Sequence, residues 1–181
     1  MRILVVRYSA LGDVVLATSV LEPLRASFPG ARIEWVTHPL YAPLLEGLPG
    51  LAAVHRLDRA GPDSAVALAR RLRGKFDLAI DLQNKARSWL VARAAGRRLV
   101  TFRRRDAREV LRAILGNDQP LVRAHQTALY AEALAGLGVG APGRLQVFLS
   151  ARARALADEA LRAVGGPAVA VAPGATWATK R

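Results

Sequence analysis

A short polar turn near the amino terminus carries the residues best suited to chemistry. Ser9, Gly12 and Asp13 follow an apolar run, residues 3–7, that lacks polar alternation and is typical of a strand buried on both faces of a parallel sheet. In open α/β sheets, ligands bind where such a strand leads into a helix. A carboxylate there could act as a base toward a hydroxyl, and Gly12 would let a substrate approach the backbone closely.

Asp13 has a second interpretation that the pattern leaves open. A helix is predicted to begin near Asp13, and Asp is common at helix amino termini, where it accepts a backbone N–H and is favoured by the helix dipole. The residue could therefore be a cap rather than a base. A dinucleotide-binding turn fits poorly, because Ser-Ala-Leu-Gly-Asp lacks the G-x-G-x-x-G spacing.

Composition narrows the class of protein. The chain of 181 residues is 52% hydrophobic, which is enough for one well-buried domain and a little more. It has no cysteine, which excludes disulfides and thiolate metal sites, and its three histidines show no ligand spacing. We therefore expect neither a metal nor a cofactor.

The charge points to an anionic partner. A net charge of +13 arises from 27 Lys and Arg against 14 Asp and Glu. The planar fork of Arg matches phosphate and carboxylate, as found in nucleic acid, an acidic membrane surface or an acidic sugar. A coding bias toward Arg and Ala is the alternative explanation. Arg7 and Asp13 interrupt the one apolar run in the sequence that resembles a signal peptide. The sequence also contains no apolar stretch long enough to span a membrane, so we expect a cytoplasmic protein.

Strand and helix patterns alternate along the chain. Buried-strand patterns occur at residues 3–7, 32–37, 53–57, 76–82 and 99–102, and helical spacing at 14–28, 66–72, 86–95, 124–137 and 151–164. The alternation, without short hairpin turns, predicts an α/β fold with a Rossmann-like doubly wound parallel sheet. A further strand at 168–172 resembles the opening of a second α/β domain.

Cationic residues are predicted to share an edge of the sheet with Asp13. The carboxyl ends of parallel strands meet at one edge, and basic residues follow both the fourth and the fifth strand. An anion site is favoured there over a merely solvated charged surface. The candidates for binding an anionic ligand are Ser9, Gly12, Gln83, Lys85, Arg87, Arg103, Arg104, Arg105 and Arg108.

Four short motifs together resemble a known family. In order, they are Ser9-x-x-Gly12-Asp13, Asp81-Leu82-Gln83, Ala107-Arg108-Glu109, and Pro173-Gly174-Ala175 with Trp177 and Lys180. Each motif alone is weak. In this order over the whole chain they are similar to glycosyltransferase family 9, the ADP-heptose:lipopolysaccharide heptosyltransferases.

The resemblance implies a GT-B fold, in which two Rossmann-like domains face each other across a cleft. The N-terminal domain would hold the acidic, Kdo-containing inner core of lipopolysaccharide, and the C-terminal domain would hold ADP-heptose. Asp13 would be the general base of an inverting transfer, and Gly174, Thr176 and Lys180 would contact the donor. Residues 1–150 would form the acceptor domain, 151–166 a linker helix, and 167–181 the first strand and turn of a truncated donor domain, so this fragment is expected to be inactive.

The same resemblance implies a cytoplasmic enzyme attached peripherally to the inner face of the cytoplasmic membrane. The alternative function is a basic, Rossmann-like module that binds nucleic acid. Surfaces that stack bases need aromatic residues among the basic ones, and Phe102 is the only aromatic residue within 97–112. We therefore expect no nucleic-acid partner.

Overall fold

The structure is a computed structural model that describes residues 1–58, 60–102, 125–169 and 171. It divides into two compact units, Met1–Phe148 and Leu149–Arg181. Among the described residues, no helix is both long and apolar enough to cross a membrane.

The first unit is built on a five-stranded sheet. Its strands are β1 (Arg2–Val6), β2 (Arg32–Thr37), β3 (Leu51–Arg56), β4 (Phe76–Asp81) and β5 (Gly96–Thr101). They lie in the order β3-β2-β1-β4-β5, and all neighbours pair in parallel. The predicted α/β fold with a Rossmann-like parallel sheet is confirmed.

Helices cover both faces of this sheet. The α-helices of the first unit are α1 (Leu11–Ala17), α2 (Leu21–Ser27), α3 (Ala65–Leu72), α4 (Ala86–Ala95) and α5 (Gln126–Leu134). Successive side chains of a strand point to opposite faces. Accordingly, Ile3 and Val5 of β1 pack with α1, α2 and α5, whereas Leu4 and Val6 pack with α3 and α4. The central strand is therefore buried on both sides, as its apolar run predicts.

The helix predicted over residues 14–28, in which Pro23 is expected to introduce a kink or tighten the early turns, is divided into two helices in the structure. A 3-10 turn, Thr18–Val20, separates α1 from α2. The physical reason is Pro23, which has no N–H to donate to the carbonyl of Ser19, four residues earlier. That carbonyl instead accepts the N–H of Gly143 at 2.8 Å, so the break in the helix anchors a later segment of the first unit.

The strand β5 begins at Gly96, directly after α4 and earlier than the predicted residues 99–102. A Cβ added at Gly96 would lie 2.6 Å from the Cβ of Ala79 on β4. Glycine therefore permits the close approach of β5 to β4 at this point.

The second unit contains α6 (Ala151–Val164), which matches the predicted helix. Its first turn is capped by Ser150, whose Oγ accepts the N–H of Ala153 at 3.2 Å, and it ends at Gly165 with a φ of 70°. The strand predicted at 168–172 is not found among the described residues there, which are exposed. A strand needs a neighbour for its N–H and C=O groups, and no described strand pairs with this segment.

The buried Glu34 carboxylate on β2 is paired with more exposed basic side chains of β1, β2 and β3. The Glu34 carboxylate is hydrogen bonded to Arg2 Nη2 at 2.8 Å, Arg32 Nε at 3.1 Å and His55 Nε2 at 2.8 Å. Burial acts to raise the pKa of Glu34, but the hydrogen bonds and charges of Arg2 and His55 outweigh burial and hold this pKa below its usual range. This arrangement therefore stabilises the fold through the ionised carboxylate.

We predict that Glu34→Gln lowers the free energy of unfolding by about 1–3 kcal/mol at neutral pH, because buried hydrogen bonds to a charge are lost. A depressed folded-state pKa gives stability that is present above the unfolded pKa and is lost as pH falls through the folded pKa. The gap between wild type and variant should therefore shrink as pH falls below the ordinary value of 4.5. Urea unfolding over this pH range measures it, and a gap independent of pH would contradict the assignment.

Candidate functional site

The candidate site lies where β1 and β4 are neighbours. The chain leaves β1 for α1 on one face of the sheet and leaves β4 for α4 on the other. The two following loops therefore run to opposite faces from the carboxyl edge of the sheet. In sheets of this type, ligands bind at such a switch point.

Arg7, the residue that follows β1, is the central side chain of this edge. Its side chain is only 7% exposed. Its Nη2 donates to Asp13 Oδ2, its Nη1 donates to the Leu82 carbonyl at 2.6 Å, and its guanidinium carbon lies 5.8 Å from the centre of the Tyr130 ring. Arg7 thereby ties the first turn of α1 to the loop after β4.

Asp13 is the third residue of α1, whereas the capping position is Ala10 and has no side-chain cap. The carboxylate is held by Arg7 rather than by a backbone N–H at a cap, and 41% of its side chain is exposed. The prediction that Asp13 caps the helix is therefore wrong, although Asp13 does lie in the first turn of α1, where the helix dipole favours a carboxylate. The assignment of Asp13 as a base stays a prediction. Its carboxylate lies at the carboxyl edge of the sheet, where ligands bind in folds of this type.

Ser9 and Gln83 connect the two loops directly. The Ser9 N–H donates to Gln83 Oε1 at 3.2 Å, and Gln83 Nε2 donates to Ser9 Oγ at 3.4 Å. Gly12 lies beside them in the first turn of α1, and an added Cβ would meet nothing within 4 Å. The structure thus brings three predicted site residues to one edge, with open space above Gly12.

Asp81 shapes the loop that carries Gln83. Its fully buried carboxylate accepts the N–H groups of Gln83 at 3.0 Å and Asn84 at 3.1 Å, and the hydroxyl of Ser88 at 3.1 Å. Burial raises the pKa of Asp81 above its usual range, against the opposing effect of these hydrogen bonds and of the Arg7 charge. We interpret Asp81 as a positioning residue, because its oxygens are directed at its own loop.

Lys85 and Arg87 are exposed at the start of α4. Arg87 also lines a cleft of about 230 Å³ together with Tyr8, Ser9, His38, Tyr41 and Asp58. Sequence reasoning missed Arg7, Tyr8, His38, Tyr41 and Asp58. His38 and Asp58 follow the carboxyl ends of β2 and β3, so the rule that placed Arg87 at this edge could also have found them.

The other predicted site residues lie outside the described part of the chain. They are Arg103, Arg104, Arg105 and Arg108 for the acceptor, and Gly174, Thr176 and Lys180 for the donor. Within the described ranges, no group of three His, Asp or Glu side chains is arranged to hold a metal ion.

We predict that Gly12→Ala leaves the melting temperature unchanged or slightly raised, because the methyl group meets no neighbour and Ala favours a helix by about 0.5–1 kcal/mol. It should weaken binding of the acidic acceptor that the resemblance implies, tested with a lipopolysaccharide inner-core fragment, about tenfold, a loss of about 1.4 kcal/mol, because the methyl group fills the approach to the backbone. Differential scanning calorimetry measures the melting temperature, and isothermal titration calorimetry measures the affinity. Gly136→Ala, also in open space, is the matched control, and equal affinities for the two variants would show that the space above Gly12 is not used.

A comparison with family models matches residues 65–181 to glycosyltransferase family 9 (heptosyltransferase). The match covers more than half of the chain and includes β4, α4 and the loop that carries Gln83. A comparison with curated proteins found no match.

Solved structures of this family share the fold. The glycosyl transferase family 9 protein of Veillonella parvula is 23% identical with a TM-score of 0.70, over 92% of this chain and 50% of that one. The Escherichia coli heptosyltransferase WaaC, solved with ADP-2-deoxy-2-fluoro heptose, is 24% identical with a TM-score of 0.61, over 81% and 51%. The E. coli ADP-heptose lps heptosyltransferase II is 21% identical with a TM-score of 0.55, over 89% and 50%.

The chain therefore spans about half the length of these structures. Its parallel sheet matches their GT-B type of fold. The family match extends over most of the residues that follow β3. On this evidence the chain belongs to glycosyltransferase family 9.

Proposed function

We propose that this chain is the acceptor-binding half of an inverting glycosyltransferase that moves a heptose from ADP-heptose to the Kdo-containing inner core of lipopolysaccharide. The observation that carries the proposal is the Asp13 carboxylate, held by Arg7 at the switch point beside the open space above Gly12. Family membership supports the reaction class. A relative solved with a fluorinated ADP-heptose supports the class of donor.

In the proposed reaction, an acceptor hydroxyl attacks the anomeric carbon of the donor heptose. The bond from that carbon to the ADP phosphate breaks, its electron pair leaves with ADP, and the hydroxyl proton passes to Asp13. Arg7 bonds Oδ2 of Asp13, so we assign the proton to Oδ1. A carboxylate is a weak base, but it can take the proton as the new bond forms late in the step.

The anionic acceptor would be held by cations at the same edge. Lys85 and Arg87 are exposed next to the loop of Gln83, where carboxylates or phosphates of the inner core could bind by charge-assisted hydrogen bonds. We propose the same role for Arg103, Arg104, Arg105 and Arg108. Because the acceptor is a lipid, we place the enzyme in the cytoplasm, peripherally attached to the inner face of the membrane.

The donor is proposed to bind in a second domain that begins within residues 167–181, after the linker helix that contains α6. Gly174 and Thr176 would contact the leaving diphosphate, and Lys180 would stabilise its developing charge. The shared half-length coverage of the solved relatives supports this division.

The first test replaces the proposed base. In a protein that joins this chain to a donor-binding domain of the family, Asp13→Asn should lower turnover by about 10²–10⁴, the range for a lost general base, with the fold retained. Asp77→Asn is the matched control, because Asp77 lies at the amino end of β4, on the opposite edge of the sheet. Near-normal turnover of Asp13→Asn in a steady-state transfer assay would refute the role of the base.

The second test concerns the division of labour. Residues 1–181 alone should bind ADP only weakly, with a Kd above about 1 mM, and should transfer no sugar, because we place the nucleotide pocket in the other domain. Isothermal calorimetry and a transfer assay measure this. Micromolar ADP binding by this chain would overturn the domain assignment.

A further inference from the structure

Two helices on one face of the sheet expose an apolar and basic surface that the proposed reaction does not use. The helices α3 and α4 lie side by side, and the Gly74 N–H after α3 donates to the Ala94 carbonyl of α4 at 3.0 Å. Spacings of three and four residues place side chains on one side of a helix. The α3–α4 surface is the outer side of this pair and consists of the exposed residues Val66, Arg70, Arg73, Trp89, Leu90 and Arg93.

Trp89 and Leu90 form the apolar part of α4 that does not pack on the sheet. Their exposed fractions are 49% and 37%, and Val66 of α3 is 51% exposed. On the inner side of α4, by contrast, Val91 and Ala92 are fully buried. The packing of α4 on the sheet therefore does not need Trp89 or Leu90, and neighbouring exposed apolar side chains with a polar rim are typical of an interaction site.

Charge distinguishes the two faces of the sheet. The helices α3 and α4 contain four arginines and no Asp or Glu, whereas α1, α2 and α5 on the other face contain three acidic residues and one arginine. A coding bias toward Arg would raise the charge of both faces alike. The helix dipole favours Arg in a last turn but equally favours acids in a first turn, and neither α3 nor α4 has an acid there.

Two of these arginines are available to an external anion. Arg71 of α3 pairs with Asp63 at 3.4 Å. In the part of the chain that the structure describes, no carboxylate pairs with Arg70 or Arg93, and both residues are exposed. The planar fork of Arg matches phosphate, so phosphate is the external group that this surface fits.

The combination of charge and apolar side chains selects an anionic bilayer as the occupant. At membrane surfaces, basic residues attract acidic headgroups, while Trp and Leu enter the boundary between headgroups and acyl chains. A second copy of the chain would bring two basic surfaces together. Nucleic acid would match the arginines and could stack on Trp89, but it would leave Leu90 and Val66 in water.

We propose that the α3–α4 surface docks the protein on a membrane that contains anionic phospholipid. Trp89 and Leu90 enter the headgroup boundary, and the arginines of the surface bind lipid phosphates. Both helices run from the carboxyl edge of the sheet to its amino edge, since α3 leads from β3 into β4 and α4 follows β4. Trp89 lies in the first turn of α4, so docking holds the edge that carries Asp13 beside the bilayer.

This inference rests on the proposed function, whose acceptor is a lipid, and it names the surface responsible for peripheral attachment. The experiment measures sedimentation of the 181-residue chain with vesicles. Equimolar phosphatidylglycerol and phosphatidylcholine should bind it more than about tenfold more tightly than phosphatidylcholine alone, because each basic residue near an anionic surface contributes about fivefold. Added salt should weaken the binding. Tryptophan fluorescence should shift to shorter wavelength as Trp89 leaves water, and Trp89→Ala should abolish this shift.

Single substitutions with matched controls locate the surface. Arg93→Gln should weaken vesicle binding about fivefold, whereas Arg144→Gln should leave it nearly unchanged, because the exposed Arg144 bonds Glu22 of α2 through its N–H and lies on the other face. Trp89→Ala should weaken binding about tenfold through loss of apolar contact. Leu145→Ala, at a position with the same 49% exposure, should not.

Three results would overturn the proposal. They are equal binding to the two kinds of vesicle, equal losses in Arg93→Gln and Arg144→Gln, and binding of single-stranded RNA that is tighter than vesicle binding and is weakened by Trp89→Ala. Failure of the proposed function has a separate signature, because heptose transfer to a delipidated inner-core oligosaccharide needs no membrane. A two-domain protein that binds vesicles but transfers no sugar to this acceptor would contradict the proposed function alone.

Discussion

A nearly buried guanidinium at the end of the central strand is the constraint on which this site depends. A cation removed from water is costly unless charge and hydrogen bonds compensate it. For Arg7, Asp13 supplies the charge and the Leu82 carbonyl supplies a second hydrogen bond. The first turn of α1 and the loop after β4 must therefore stay in place together, and the carboxylate is held at the edge where a ligand can enter.

The sheet topology makes this constraint useful. Because β1 and β4 are neighbours whose following helices lie on opposite faces, the loops after them separate and leave room for a ligand. The bonds between Ser9 and Gln83 set the spacing of these loops. Asp81 fixes the loop after β4 from within the core, through two backbone N–H groups and the Ser88 hydroxyl. The interior of the domain thus determines the geometry of its edge.

Much of the fold could be predicted from local pattern. The strand at 32–37 and the helices at 86–95 and 151–164 have the predicted bounds, because apolar runs and clear end signals define them. The effect of Pro23 on the helix over residues 14–28 can be predicted from the sequence only as a kink or a tightened turn. The full break cannot, since the new partner of the Ser19 carbonyl is Gly143, far along the chain.

The site, too, could be predicted only where local sequence information was enough. Asp13, Ser9 and Gln83 could be placed at one edge because each follows a strand, which is local information. The pairing of Arg7 with Asp13, and the presence of His38 and Asp58 in one cleft, depend on side-chain directions that strand order alone does not determine. Arg7 looked like the polar end of a strand, although a charge directly after a fully apolar run is a signal that a buried partner is needed.

The central claim is that Asp13 faces the acceptor hydroxyl that reacts. The most direct measurement is a crystal structure of this chain with a Kdo-containing inner-core acceptor. The account predicts the reactive hydroxyl oxygen at about 2.6–3.2 Å from the Asp13 carboxylate, the distance needed for proton transfer, with Arg7 still bonded to Oδ2. An acceptor bound with all its hydroxyls beyond hydrogen-bonding reach of Asp13 would contradict it.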